Sequence, residues 1–136
     1  MKNKNLIIPI TVFAILAIFF SVFYAFNPKE PVDKISETKT SQGEVTIDLT
    51  PQEYRNNILY FQIGLNTHSV NLENYNLREH IILVYDGKTE SPKEVPKLVG
   101  HHNNGIMSFK TEYKPKEYLI KISGIPDVQE RVLEWK

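Results

Sequence analysis

Three of the four histidines in this chain of 136 residues fall in two short polar segments. These are Asn66-Thr67-His68-Ser69 and Gly100-His101-His102-Asn103-Asn104-Gly105. Imidazole is the commonest metal ligand among side chains, and glycines let a backbone fold tightly around a centre. His68, His101 and His102 are therefore candidate ligands for copper or zinc, with His80 a further candidate. Geometry sets two conditions. Neighbouring side chains of a regular strand point to opposite faces, so His101 and His102 share a metal only from a turn. If strands alternate in direction, His68 and His101 lie at one end only when the chain crosses between Gly87 and Gly100. A weak strand over residues 94–99, confined to an edge by Pro96, would supply that crossing and bring His80 near the same end.

The plainer alternative is favoured. Asn, Thr, Ser and His side chains routinely bond to backbone groups and fix irregular loops. No carboxylate sits at ligand spacing from these histidines, and neither HxH nor HxxxH occurs. Organic-ligand binding or catalysis by the same residues has still less in its favour.

Other chemistry is narrowed by what the chain lacks. There is no cysteine, which removes disulfides, a thiolate nucleophile, Cys-ligated metal and an acylated lipobox cysteine together. His68-Ser69 is no nucleophile–base pair, since adjacent strand side chains diverge and no elbow motif surrounds the serine. Glu90/Glu94 and Glu112/Glu117 read as solvated faces and not as acid–base couples. Phosphate-cradling glycine loops are missing. Basic and acidic residues balance at 16 each. Without Lys2 and Lys4 the remainder carries 14 basic against 16 acidic residues, no footprint for nucleic acid or for a polybasic membrane surface. The chain reads as a non-enzyme.

The elements that would position the histidines begin after a membrane segment. Residues 6–26 (LIIPITVFAILAIFFSVFYAF) run 21 positions without a charge. At about 1.5 Å per residue such a helix spans a hydrocarbon core of about 30 Å. The rival is a cleaved signal peptide, but the run exceeds the roughly 7–15 residues of a signal h-region, and cleavage after Ala25 would put Phe23 where a small residue is wanted. Basic residues are nearly balanced across the helix, with Lys2 and Lys4 before it and Lys29, Lys34 and Lys39 after it. The short basic start followed at once by the apolar run has the form of a signal anchor. Residues 1–5 are thus expected in the cytoplasm, 6–26 as a single-pass anchor in the cell membrane, and the rest outside. Residues 27–42 (NPKEPVDKISETKTSQ) have almost nothing to bury and read as a flexible linker. Fully extended, such a stretch reaches about 50 Å.

From Gly43 the hydrophobic period becomes two. Val45, Ile47 and Leu49 alternate with Thr46, Asp48 and Thr50, the pattern of a half-buried strand. Residues 58–66 put Leu59, Phe61, Ile63 and Leu65 on one face and Ile58, Tyr60, Gln62 and Gly64 on the other, as in a central strand. Further strands are expected over 80–85, 105–111, 116–123 and 130–135. Asp86-Gly87, Asn104-Gly105 and Lys114-Pro115 are turn signals. Six or seven short strands with no long soluble helix indicate an all-β domain over 43–136, an antiparallel immunoglobulin-like β-sandwich. Trp135, in alternation with Leu133 and Arg131, is expected between the sheets; its alternative is a ligand-stacking platform.

Three segments carry a resemblance: Leu65-Asn66-Thr67-His68-Ser69-Val70-Asn71-Leu72, then Gly100-His101-His102 through Gly105-Ile106-Met107-Ser108-Phe109, and Arg131-Val132-Leu133-Glu134-Trp135. With the Asp86-Gly87 turn between the first two, they resemble a group of little-characterised bacterial and archaeal extracytoplasmic domains, over nearly all of 43–136. That group shows a THS segment, a GHH segment before a Gly-led strand, and a closing Arg-x-x-x-Trp strand. It often has a basic residue where Asn103 stands here. The resemblance implies a sandwich in an exported or anchored context and brings no activity with it. The expected function is a membrane-anchored binding or accessory module, possessing at most an envelope protein as partner. The alternatives are a copper- or zinc-binding envelope protein and a structural subunit of a membrane complex.

Overall fold

The computed structural model describes residues 37–136. The expected cytoplasmic stretch 1–5, the anchor 6–26 and the linker up to residue 36 lie outside the described residues. Among those described, no helix is long and apolar enough to cross a membrane.

The described chain is all-β, with eight strands in two antiparallel sheets: β1 (Lys39–Ser41), β2 (Val45–Arg55), β3 (Ile58–Thr67), β4 (Ile81–Tyr85), β5 (Lys88–Glu90), β6 (His102–Lys110), β7 (Tyr118–Ser123) and β8 (Glu130–Trp135). The first sheet has the order β1-β2-β3-β6 and the second β5-β4-β7-β8. Between β3 and β4 lie two short turns of helix, Leu72–Asn74 and Leu77–His80, capped by the side chains of Asn71 and Asn76. The β2–β3 hairpin turns on Asn56-Asn57 and the β4–β5 hairpin on Asp86-Gly87, both pairs at positive φ. Such turns match the right-handed twist of the strands they join.

Alternation fills the space between the sheets. Ile47 and Leu49 of β2, Phe61 and Ile63 of β3, and Met107 and Phe109 of β6 are fully buried, as are Leu83 of β4 and Ile120 and Ile122 of β7. The Phe61 ring meets Phe109 edge-on within its own sheet, and Tyr118 and Trp135 of the other sheet at 5.8 and 5.6 Å. Trp135 stacks on Tyr118 and donates its indole N–H to the Glu37 carbonyl at 2.9 Å. It is a core residue, as its alternation implied. Burial pushes the Tyr118 hydroxyl up to about 12.

Four features differ from the sequence expectation. β1 lies within the stretch read as linker, because the free edge of β2 pairs with three residues whose side chains carry no apolar signal. β2 continues past Thr50 to Arg55 through an irregularity between Pro51 and Tyr54. Asn104-Gly105 is no turn but lies inside β6, paired with Gly64 and Ile63. A Cβ at Gly105 would stand 2.5 Å from Pro96 Cβ, so this glycine lets the preceding loop lie against the strand. Finally, residues 94–99 form no strand. Pro96 has no N–H, and the segment joins β6 by a single bridge, Glu94 to Ser108.

At one end of the two sheets Arg131 is 2 % exposed. One terminal nitrogen donates to the Ile125 and Val128 carbonyls and the other to Val45 and Pro126, at 3.2–3.4 Å. Desolvation lowers its pKa, with Asp127 opposing. Val45 opens β2 while Arg131 belongs to β8, so one guanidinium ties the sheets together where the histidine loops gather.

Candidate functional site

The two histidine-bearing loops do meet, and Thr67 begins the joint. Its hydroxyl, buried at the end of β3, accepts from the Ser69 and Val70 amides at 3.3 and 3.2 Å. The Thr67 amide donates to the His101 carbonyl at 3.0 Å. The His101 ring turns back on the same loop, with Nδ1 3.2 Å from the Val70 carbonyl. Facing a carbonyl, that nitrogen carries the proton and donates. Gly100 makes the intervening turn at φ 67° and donates its amide to Glu73 Oε1, while Asn103 Oδ1 accepts from the Val99 amide at 2.6 Å. Thr67, His101 and Asn103 are thus loop-building residues, as the polar-cluster alternative required.

His68 and His102 stand differently. Like His101 both are exposed, but their rings face each other edge to face with centroids 5.8 Å apart. His102 Nδ1 is 3.0 Å from Asn66 Oδ1, which orients both side chains. His80 is at the same end but closes the helical turn Leu77–His80, so the strand expected over 80–85 begins one residue later, at Ile81. Its Nδ1 lies 2.8 Å from the Ser123 carbonyl and its ring packs on Tyr75. The sequence-predicted trio is therefore brought to one end, but only His68 and His102 have their rings together. The extra crossing that places them so is made by the irregular 91–101 segment, not by an edge strand. Among the described residues, no three His, Asp or Glu side chains are grouped to hold a metal ion.

Beside this pair the outer face of the first sheet carries a feature that sequence reasoning missed. An open depression of about 270 Å³ is lined by Asp48 and Thr50 of β2, Gln62, Gly64 and Asn66 of β3, and His102, Asn103 and Asn104 of β6. Register explains it: Asp48, Gly64 and Asn104 are direct neighbours across three strands. The side chain is absent from the middle position, so the surface dips between a carboxylate and an amide. Nothing local demands a glycine there. Its φ is not positive, and an added Cβ would make only ordinary contacts, the nearest 3.7 Å from Asp48 Cβ. Glycine inside a strand costs about 0.5–1 kcal/mol relative to alanine, and one signature of such a position is close approach of a ligand or of another backbone.

The polar groups around Gly64 hold one another in place. Thr40 donates its hydroxyl to Asp48 Oδ1 at 2.5 Å, and Gln62 Nε2 donates to Asn104 Oδ1. The signal for these residues was present in the sequence as the polar outer halves of two alternating strands. Only the pairing register brings them together.

Compared with protein-family models, curated proteins and solved structures, the chain matches none.

Proposed function

We propose that this protein is a binding or accessory module of the cell envelope, without catalytic activity, whose ligand seat is the depression over Gly64. The observation that carries this is a glycine at the centre of a central strand, ringed by oriented polar side chains, where neither backbone nor space requires one. A non-catalytic role is supported by the partners of the histidines. The bonds of His80, His101 and His102 go to two backbone carbonyls and one amide oxygen, which position rings and activate no nucleophile.

The uncharged run of residues 6–26 supports a single-pass anchor with the domain on the outer face of the cell membrane. Strand connectivity supports an immunoglobulin-like assignment: β2, β3 and β6 take the places of strands A, B and E, and β5, β4, β7 and β8 those of C′, C, F and G. The resemblance to extracytoplasmic domains with THS and GHH segments agrees with that placement.

The experiment is a thermal-shift screen of the full chain in nanodiscs against small polar envelope compounds, run beside Gly64→Val. The expected result is a compound that raises the native Tm and leaves the variant unmoved. If no compound separates the two proteins, the depression is not a ligand seat.

A second reading, copper or zinc binding, is favoured by the exposed His68–His102 ring pair. The pair supplies two ligands, since the His101 ring is turned back on the Val70 carbonyl. Retention of either metal that falls in His68→Ala and His102→Ala would support it, and equal retention by both variants and the native chain would reject it.

A further inference from the structure

The donors and acceptors around Gly64 select a ligand chemistry, given the reading of the depression as a ligand seat. We propose that it takes a neutral carbohydrate, with one sugar ring seated over Gly64 between Asp48 and Asn104.

The inventory of bonds left to a ligand follows from those already made. Asp48 spends Oδ1 on Thr40, and Oδ2 lies 3.9 Å from where a Gly64 Cβ would stand, at the edge of the depression. Asn104 accepts from Gln62 through Oδ1, which leaves the Nδ2 donors of Asn104 and the Oε1 acceptor of Gln62. Asn66 takes the His102 N–H on Oδ1, which leaves the Nδ2 donors of Asn66. One side of the glycine therefore offers an acceptor of full negative charge and the other offers amide donors.

An anion would meet the Asp48 carboxylate, and no lysine or arginine lines the depression. A bare cation would be confronted by amide N–H groups. An apolar ligand would strip water from both kinds of group and return no bonds. A hydroxyl donates and accepts at once, so neighbouring hydroxyls of a sugar can give to Asp48 and receive from Asn104 and Asn66. Adjacent strands lie about 4.8 Å apart, so Asp48 and Asn104 flank a gap of roughly two strand spacings, the width of a hydrated sugar ring. Without a Cβ at Gly64, the C–H face of the ring rests directly on the strand. Tyr60, two residues before Gln62 on the same outer row of β3, has the Arg55 guanidinium 5.8 Å over its ring and lies outside the seat.

The test is calorimetric titration of the full chain in nanodiscs with neutral trisaccharides of glucose, mannose, galactose and N-acetylglucosamine. Native protein, Gly64→Val and Asp48→Ala are compared, each first shown to melt cooperatively. At least one trisaccharide is expected to bind the native chain, to bind Asp48→Ala about tenfold or more weakly, and to lose binding to Gly64→Val. Asp48→Ala keeps the assay decisive should Gly64→Val fail to fold. A native chain that takes no trisaccharide, or variants that bind as the native chain does, overturns the proposal. Trialanine, copper and zinc are titrated in parallel. Binding of one of these that Gly64→Val abolishes keeps the ligand seat and rejects carbohydrate; if no probe distinguishes native from Gly64→Val, the seat falls as well.

Discussion

Two glycines on adjacent strands should respond to the same substitution with opposite signs. Gly64 of β3 and Gly105 of β6 sit one register step apart, since Ile63 pairs with Gly105 and Gly64 with Asn104. Neither has positive φ, so neither backbone forbids a side chain. At Gly64 a methyl group would touch Asp48 Cβ at 3.7 Å, an ordinary contact. Gly64→Ala should therefore stabilise the fold by about 0.5–1 kcal/mol through the unfolded chain's lost freedom. For a domain of this size that raises Tm by roughly 2–6 °C. At Gly105 the same methyl would stand 2.5 Å from Pro96 Cβ and 3.0 Å from Cγ, atoms of a ring that cannot rotate away. The loop must then lift from β6, at a cost of about 1–3 kcal/mol. Gly105→Ala should lower Tm, and adding Pro96→Gly should recover part of the loss, because the two positions are coupled by one contact. Urea and thermal unfolding of the full chain in detergent micelles measure all three. A Gly64→Ala protein less stable than the native one, or a Gly105→Ala protein as stable, would refute the distinction between a glycine kept for its surface and one kept for packing.

Other outcomes follow from single contacts. Arg131→Met should destabilise by about 3 kcal/mol or more, because four carbonyls lose a charged donor, and Arg131→Lys should recover little of it since an ammonium lacks the fork; chemical unfolding reads both. Tyr118 has its pKa raised from 10.0 to about 12, so the unfolded chain releases this proton first as pH rises. Its contribution is whole below pH 10 and is lost towards pH 12, a decline that Tyr118→Phe should remove from a pH series of melting curves. His101→Ala should cost about 1 kcal/mol by freeing the Val70 carbonyl. His102→Ala should leave Tm nearly unchanged, because its bond is exposed.

The core was legible because alternation is a local property. Val45, Ile47 and Leu49, and Leu59, Phe61, Ile63 and Leu65, announce their buried faces without knowledge of any partner. Asp86-Gly87 announced its hairpin for the same reason. β1 could not be read, since its three residues are held by the edge of β2 and contribute no pattern of their own. Asn104-Gly105 misled because a glycine has several causes, and the one acting here is Pro96, nine residues away in the chain. The histidines drew attention to the end of the domain where their two loops meet. Of them, His101 proved to be a loop brace, a role decided by the direction of one ring. The depression over Gly64 depends on the alignment of Asp48, Gly64 and Asn104, and register is a long-range fact that no single segment states.

The way β1 enters the fold has a mechanical consequence. Going back along the chain, Ser41 lies beside Ile47, Lys39 beside Leu49, and Thr38 touches Thr50, so the chain leaves towards the β2–β3 hairpin and away from the histidine loops. The Gly64 depression and the chain's way out lie along one strand axis. A pull between them would load the β1–β2 hydrogen bonds in shear, all together, because antiparallel bonds run perpendicular to the strands. The indole of Trp135, bonded to the Glu37 carbonyl, would pass part of that tension to the second sheet. A domain threaded in this way resists being unzipped one bond at a time.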